Sequence, residues 1–236
     1  MLILVLGKGK TGSLVAQVAR ERGHGVRALD ITENEHASAL TAPNLAGVDV
    51  VIDFTAPEAA VENIRAVLAL GSRIVVGTTG WYAHVDELKA LAAKRGGALL
   101  YGTNFSIGVQ KLFRLTAELA RLEGYTFSIE ETHHVTKLDA PSGTAITLRE
   151  IVEAAQPGAK VEVTSHRIAD AKGEHIVKAV SDVDELELRH DAFSRRGFAV
   201  GAVRAAEWVA GKTGAWSSGR SSISCKLYGA EPRMAG

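Results

Sequence analysis

The chain has 236 residues, 46% hydrophobic and 23% charged, and its 27 basic and 27 acidic side chains cancel. That balance belongs to a soluble globular protein of one large domain or two small ones, and neutrality gives no reason to expect a nucleic-acid partner. No apolar run approaches the ~20 residues of a membrane span. The single cysteine, Cys225, excludes an internal disulfide and a cysteine-based metal site, so a reducing, cytoplasmic setting is expected.

The elements follow in chain order. Leu2–Leu6 is a continuous apolar run directly after Met1. It lacks the leading positive residues of a secretion signal and reads as a buried first strand. Residues 11–22 carry Leu14, Val15, Val18 and Ala19 at helical spacing. Residues 26–29 and 49–54 are the next strands. Thr55 and Glu58 then offer a capping box around Pro57, opening a helix to about Leu70. Arg73–Val76 is strand, Val85–Arg95 helix and Ala98–Tyr101 strand. Strands alternating with helices predict a parallel sheet covered on both faces.

The pattern changes after Asn104. A helix is expected over residues 106–122, then period-two alternation over 125–135, with Tyr125, Phe127 and Ile129 on one side. Residues 144–155 read as helix, and 160–167, 175–181 and 185–191 as strands. A last helix spans 196–210. Strands in succession predict a mixed or antiparallel sheet with one face on helices. The fold class is therefore α/β, with a dinucleotide-binding domain over residues 1–104, completed by about 207–236. An α+β substrate domain covers 105–206.

Gly7-Lys8-Gly9-Lys10-Thr11-Gly12 fits Gly-x-Gly-x-x-Gly between a strand and a helix. The first glycine permits the turn, the second admits a pyrophosphate and the third lets helix and strand pack closely. A P-loop would need a glycine where Leu4 stands. Asp30, at the end of the second strand, suits an adenosine ribose, which tilts the cofactor toward NADH over NADPH. Lys8 and Lys10 are phosphate contacts or plain surface charges. Gly77-Thr78-Thr79-Gly80 and Gly102-Thr103-Asn104-Phe105 follow strand ends on the same edge, where ligands of open α/β sheets bind.

Residues 131–145 carry most of the chemistry. His133 and His134 are adjacent near a strand end, so only one of them lines a given face. A histidine donates a proton near neutrality, and Lys137 adds a charge or a second donor. Ser142-Gly143-Thr144 opens a helix after Pro141, and its amides, hydroxyl and positive end suit a carboxylate. Hydride reduction of a C=C–C=N system needs such an acid and such anchors. A metal pair at the two histidines lacks a clear carboxylate at ligand spacing, so no metal is expected. Ser142 lacks a nucleophile elbow.

These residues resemble the 4-hydroxy-tetrahydrodipicolinate (dihydrodipicolinate) reductase family. The resemblance rests on His-His-x-x-Lys-x-Asp-Ala-Pro-Ser-Gly-Thr-Ala at residues 133–145 and on the segments at 52–58, 76–80, 104–109, 173–175 and 202–208. It implies reduction by NADH or NADPH of a cyclic imine dicarboxylate on the diaminopimelate route to lysine. By analogy His133 donates the proton and Lys137 assists. His134 contacts the substrate, with Ser142 beside it, and Gly143 and Thr144 bind a substrate carboxylate. Gly7 to Gly12, Asp30, Gly77 to Thr79 and Gly102 to Phe105 hold the cofactor. A Rossmann domain, a substrate domain with an open mixed sheet, and a homotetramer are implied. Segments 31–48 and 156–172 are compact, and the tail 217–236 carries no family motif. Rival readings are an aspartate- or homoserine-dehydrogenase-like enzyme and a catalytically silent nucleotide sensor; neither uses His133 and Lys137 together.

Overall fold

The computed structural model describes residues 1–218, and the rest of the tail lies outside the described residues. Two compact units form among the described residues: Met1–Ser106 with Arg196–Ser218, and Ile107–Arg195.

The first unit is a six-stranded parallel sheet. Its strands are β1 (Leu2–Leu6), β2 (Gly25–Leu29), β3 (Val50–Asp53), β4 (Arg73–Val76), β5 (Ala98–Tyr101) and β10 (Gly214–Ser217), in the order β10-β5-β4-β3-β1-β2. Alternate residues of one strand serve both faces. Leu4 and Leu6 enter a core with Val51, Ile74, Val76 and Leu99 under α3 (Pro57–Ala69) and α4 (Val85–Arg95). Helices α1 (Lys10–Glu21) and α7 (Arg196–Val209) pack on each other, and α7 lies against β3, β4 and β5. A short α2 (Ala42–Leu45) and two 3-10 turns fill residues 31–48, where the sequence signals only compaction.

Two expectations need correction. Thr55 and Glu58 do not form a capping box. The N-cap of α3 is Ala56 without a side-chain bond, because the Thr55 hydroxyl donates to Asp53 Oδ1 at 2.8 Å. The chain returns to the first unit at Arg196, earlier than residue 207. The reason is the small-residue face of α7, which lets the helix approach closely: a Cβ on Gly201 would stand 1.7 Å from Phe105 O. The unmatched tail also begins inside the sheet, since Trp216 and Ser217 of β10 pair with Leu100 and Tyr101.

The second unit holds α5 (Ile107–Leu119), α6 (Gly143–Ala155) and a four-stranded sheet, order β7-β6-β8-β9. Its strands are β6 (Thr126–His133), β7 (Glu162–Arg167), β8 (Glu174–Val180) and β9 (Glu185–Asp191). β6 pairs parallel with β7 and antiparallel with β8. Phe127, Ile129 and Val177 face the helices with Val109, Leu112 and Leu148. The expected run of α5 to residue 122 ends at Leu119 and that of β6 to 135 ends at His133.

Candidate active site

In the first unit the strand ends converge at the switch point, where β2 and β3 flank β1. A cavity of about 210 Å³ is lined there by Gly7, Lys8, Gly9, Asp30, Asn34, Phe54 and Thr55, among others. The glycines divide the labour as the loop motif requires. A Cβ on Gly12 would stand 1.9 Å from Gly7 O, whereas one on Gly9 would meet nothing of the described residues within 4 Å. The N-terminus of α1 has no side-chain cap, so its first amides face this open cradle, which fits a pyrophosphate.

The charged residues around the cradle are more committed than the sequence shows. Asp30 is exposed and its Oδ1 accepts the Ile31 amide at 2.8 Å. Glu33 accepts the Asp30 amide at 2.7 Å and pairs with Lys8. Lys10 is exposed and Thr11 half-buried. At the end of β4 the Thr78 hydroxyl donates to buried Asp53 Oδ1 at 2.6 Å, so that side chain is spent inside the protein. Burial pushes the Asp53 carboxyl up, against hydrogen bonds from Thr78, Asn63 and Thr55 that pull it down. Thr79 and Thr103 are half-buried, and Phe54 covers Gly77 so closely that a Cβ there would touch the ring at 2.2 Å. Asn104 Oδ1 accepts the Ser106 amide at 2.8 Å, Phe105 is buried, and Gly102 packs against Ser218.

In the second unit the buried face of β6 ends in polar residues. His133 is buried and its neighbour His134 half-buried, as strand alternation requires. Burial holds His133 well below the ordinary histidine value; Glu131 opposes this, while Lys137 and Arg167 add to it. Lys137 Nζ donates to both Asp139 oxygens, at 2.6 and 2.8 Å. Burial pushes Asp139 up, but the Lys137 hydrogen bond and charge leave it below the usual carboxylate value.

Ser142 is the N-cap of α6. Its Oγ accepts the Ala145 amide at 3.2 Å, and its own amide donates to Glu131 Oε1 at 3.0 Å. The polar atoms of Ser142 therefore serve the fold. Gly143 is half-buried and Thr144 buried in the first turn behind it.

Four residues here escaped the sequence reading. Glu131 is fully buried and supplies the carboxylate that spacing did not reveal. Glu131, His133 and His175 each offer a ligand atom, all within 4.8 Å of one another. Arg167 of β7 clamps the 137–139 loop, donating to Lys137 O at 3.2 Å and Asp139 O at 2.5 Å. Arg195 reaches His134 Nε2 at 3.2 Å. The available signal for Glu131 was its period: it shares the face of Phe127 and Ile129, where a carboxylate is out of place without a partner.

Residues 1–105 match the family model described as dihydrodipicolinate reductase, N-terminus, and residues 108–219 the one described as dihydrodipicolinate reductase, C-terminus. The chain belongs to the dihydrodipicolinate reductase family. A 4-hydroxy-tetrahydrodipicolinate reductase of Christiangramia forsetii is 36% identical over 231 residues, covering 91% of this chain and 94% of the relative. One from Natronomonas pharaonis is also 36% identical, over 92% of this chain and 97% of its own. A dipicolinate-bound dihydrodipicolinate reductase structure from Paenisporosarcina sp. TG-14 shares the fold. Its TM-score is 0.75 at 22% identity, covering 92% of this chain and 97% of that one.

Proposed function

We propose that the chain reduces 4-hydroxy-tetrahydrodipicolinate, through its dehydrated cyclic imine, to tetrahydrodipicolinate for diaminopimelate and lysine synthesis. The observation that carries this reading is the grouping of buried His133, Lys137 and the α6 N-terminus in one short stretch of a chain of this family. Gly7, Gly9 and Gly12 of the β1–α1 cradle would hold a nicotinamide nucleotide, which would supply the hydride. The conjugated C=C–C=N system of the substrate accepts that electron pair, and a ring carbon then takes a proton from Nε2 of His133. Lys137 and Arg167 favour an anionic substrate electrostatically. Gly143 and Thr144 bind a carboxylate at the positive end of α6. His134, held by Arg195, contacts the substrate beside them.

NADH is the preferred cofactor in this reading. Asp30 and Glu33 put two carboxylates at the end of β2, and Glu33 occupies Lys8, so a 2′-phosphate meets net repulsion. The protein acts in the cytoplasm as a homotetramer. The face of the second sheet away from its helices carries Ile176 and Val180 and supports a subunit contact. Light scattering at micromolar concentration should give four chains, and a monomer would remove the assembly claim.

Purified protein should oxidise NADH only when the cyclic product of pyruvate and aspartate semialdehyde is present. His133→Gln and Lys137→Met should each lower turnover by ~10²–10⁴ while retaining NADH binding. No oxidation by the wild type at any substrate level would refute the reading.

A further inference from the structure

We propose that Glu131 is a positioning residue for the acid: it holds Nδ1 of His133 so that Nε2 faces the substrate, and it ties that ring to the N-terminus of α6. The inference rests on the functional reading above and adds a residue to it.

The register of the second sheet makes the arrangement. Ser165, Glu131, His175 and His190 are successive cross-strand partners on β7, β6, β8 and β9. They form a polar row at the end of an otherwise apolar face. His133 lies two residues beyond Glu131, on the same face of β6.

The two oxygens of Glu131 have different tasks. Oε1 accepts the Ser142 amide at 3.0 Å and the Ser165 hydroxyl at 2.8 Å, with Arg167 Nη2 at 3.4 Å. That fixes the carboxylate. Oε2 is buried and has no hydrogen-bond partner among the described residues, and neither has His133 Nδ1. The two atoms lie 3.5 Å apart, and His175 Nε2 is 3.8 Å from the same oxygen. A shift of a few tenths of an ångström closes the first pair, and catalytic hydrogen bonds commonly tighten when substrate binds. A proton on Nδ1 directed at Glu131 leaves Nε2 as the titrating atom. Nε2 borders Gly173, where a Cβ would stand 3.4 Å away.

The charge arithmetic favours the same role. The groups facing His133 are Glu131 on its own strand, Arg167 from β7, His175 from β8, and Lys137 and Asp139 from the loop. His190 of β9 faces His175. Burial, Lys137 and Arg167 all disfavour an imidazolium, and Glu131 is the strongest group opposing them. Burial also pushes Glu131 up, but the Ser142 and Ser165 hydrogen bonds keep it ionised. Glu131 limits the depression of His133, and without its charge the imidazolium that gives the proton is disfavoured further.

The test compares wild type with Glu131→Gln. Proton-coupled reduction fails as pH rises through the acid's pKa, so loss of Glu131 should move that limb of kcat at least one pH unit downward. Turnover at pH 7.5 should fall ~10–10²-fold, with the NADH dissociation constant within twofold. Glu131→Asp, which keeps the charge, should restore the limb more than the rate. Nitrogen NMR of the free wild-type protein should find neutral His133 protonated at Nδ1. That readout needs no turnover, so an inactive wild type fails the functional reading and leaves this one standing. Should Glu131→Gln not fold, Ser165→Ala, which loosens Oε1 alone, should shift the limb in the same direction by less. An Nε2–H tautomer, or an unmoved limb in a folded variant, overturns the proposal. So does activity abolished by chelation and restored by Zn²⁺, which would make Glu131, His133 and His175 ligands.

Discussion

Arg195 donates to Nε2 of His134 at 3.2 Å, and Thr136 Oγ1 lies 2.7 Å from Nδ1 of the same ring. A guanidinium only donates, so Nε2 must accept. The proton of this imidazole then sits on Nδ1, pointing at Thr136. His134 therefore cannot take up a proton at Nε2 without breaking the Arg195 bond, whereas Nε2 of His133 borders Gly173, and His133 is left as the acid. His133→Gln should lower kcat with little change in KM. His134→Gln and Arg195→Ala should chiefly raise the KM for the dicarboxylate. Steady-state kinetics decide it, and a kcat loss confined to His134→Gln would reverse the assignment.

Cofactor choice should respond to Glu33. Removing its charge with Glu33→Gln frees Lys8 and deletes one of two carboxylates at the ribose end of the cradle. The ratio of kcat/KM for NADPH over NADH is expected to rise roughly tenfold, about 1.4 kcal/mol. Raising ionic strength should shrink the difference, because these groups are exposed and screened. An unchanged ratio would mean that the 2′ position is read elsewhere.

Acid should unfold the protein through its histidines. Burial is the main cause that holds His133, His175 and His190 below their ordinary value of 6.5, to about 3 for His175. A depressed folded value means that the unfolded chain binds more protons below pH ~6.5, so stability is full above that pH and drains as pH falls toward the folded values. The Tm should decline steadily between pH 7 and pH 4. His175→Gln should flatten the decline. A slope equal to that of wild type would assign acid sensitivity to other groups.

Gly12→Ala tests the cradle. The new Cβ would stand 1.9 Å from Gly7 O, backbone that cannot rotate away. A cost of ~1–3 kcal/mol in stability is expected from such overpacking, together with weaker NADH binding. Fluorescence titration and thermal melts check the two effects. Gly9→Ala meets no atom of the described residues within 4 Å, so it should spare Tm and lower affinity alone.

Much of this was readable because it is periodic. The βα alternation over residues 1–104, the glycine loop and the adjacent histidines are local patterns, and β4, α4 and β5 stand where spacing puts them. What escaped depends on register between distant strands. Glu131 meets His175 only because β6 pairs antiparallel with β8, and meets Ser165 only because it pairs parallel with β7. No spacing in one dimension encodes that. Thr55 illustrates the opposite failure: a correct local signal was overridden by buried Asp53, whose need for donors outweighs a helix cap. Lys8 and Lys137 read as available cations but each is held by a carboxylate, Glu33 and Asp139.

The early return of α7 sets an order on synthesis. The strands β1 to β5 leave the ribosome before the helix that covers α1, β3, β4 and β5 exists, because residues 107–195 intervene. At ~5–20 residues per second, that delay is roughly 5–18 s. Through it, the apolar flank awaiting Ala199, Ala202, Val203 and Ala206 stays open to solvent. A nascent chain stalled near residue 150 should therefore bind a holdase or a hydrophobic dye that the finished protein ignores. Equal dye binding by both would mean that another segment shields the flank during translation.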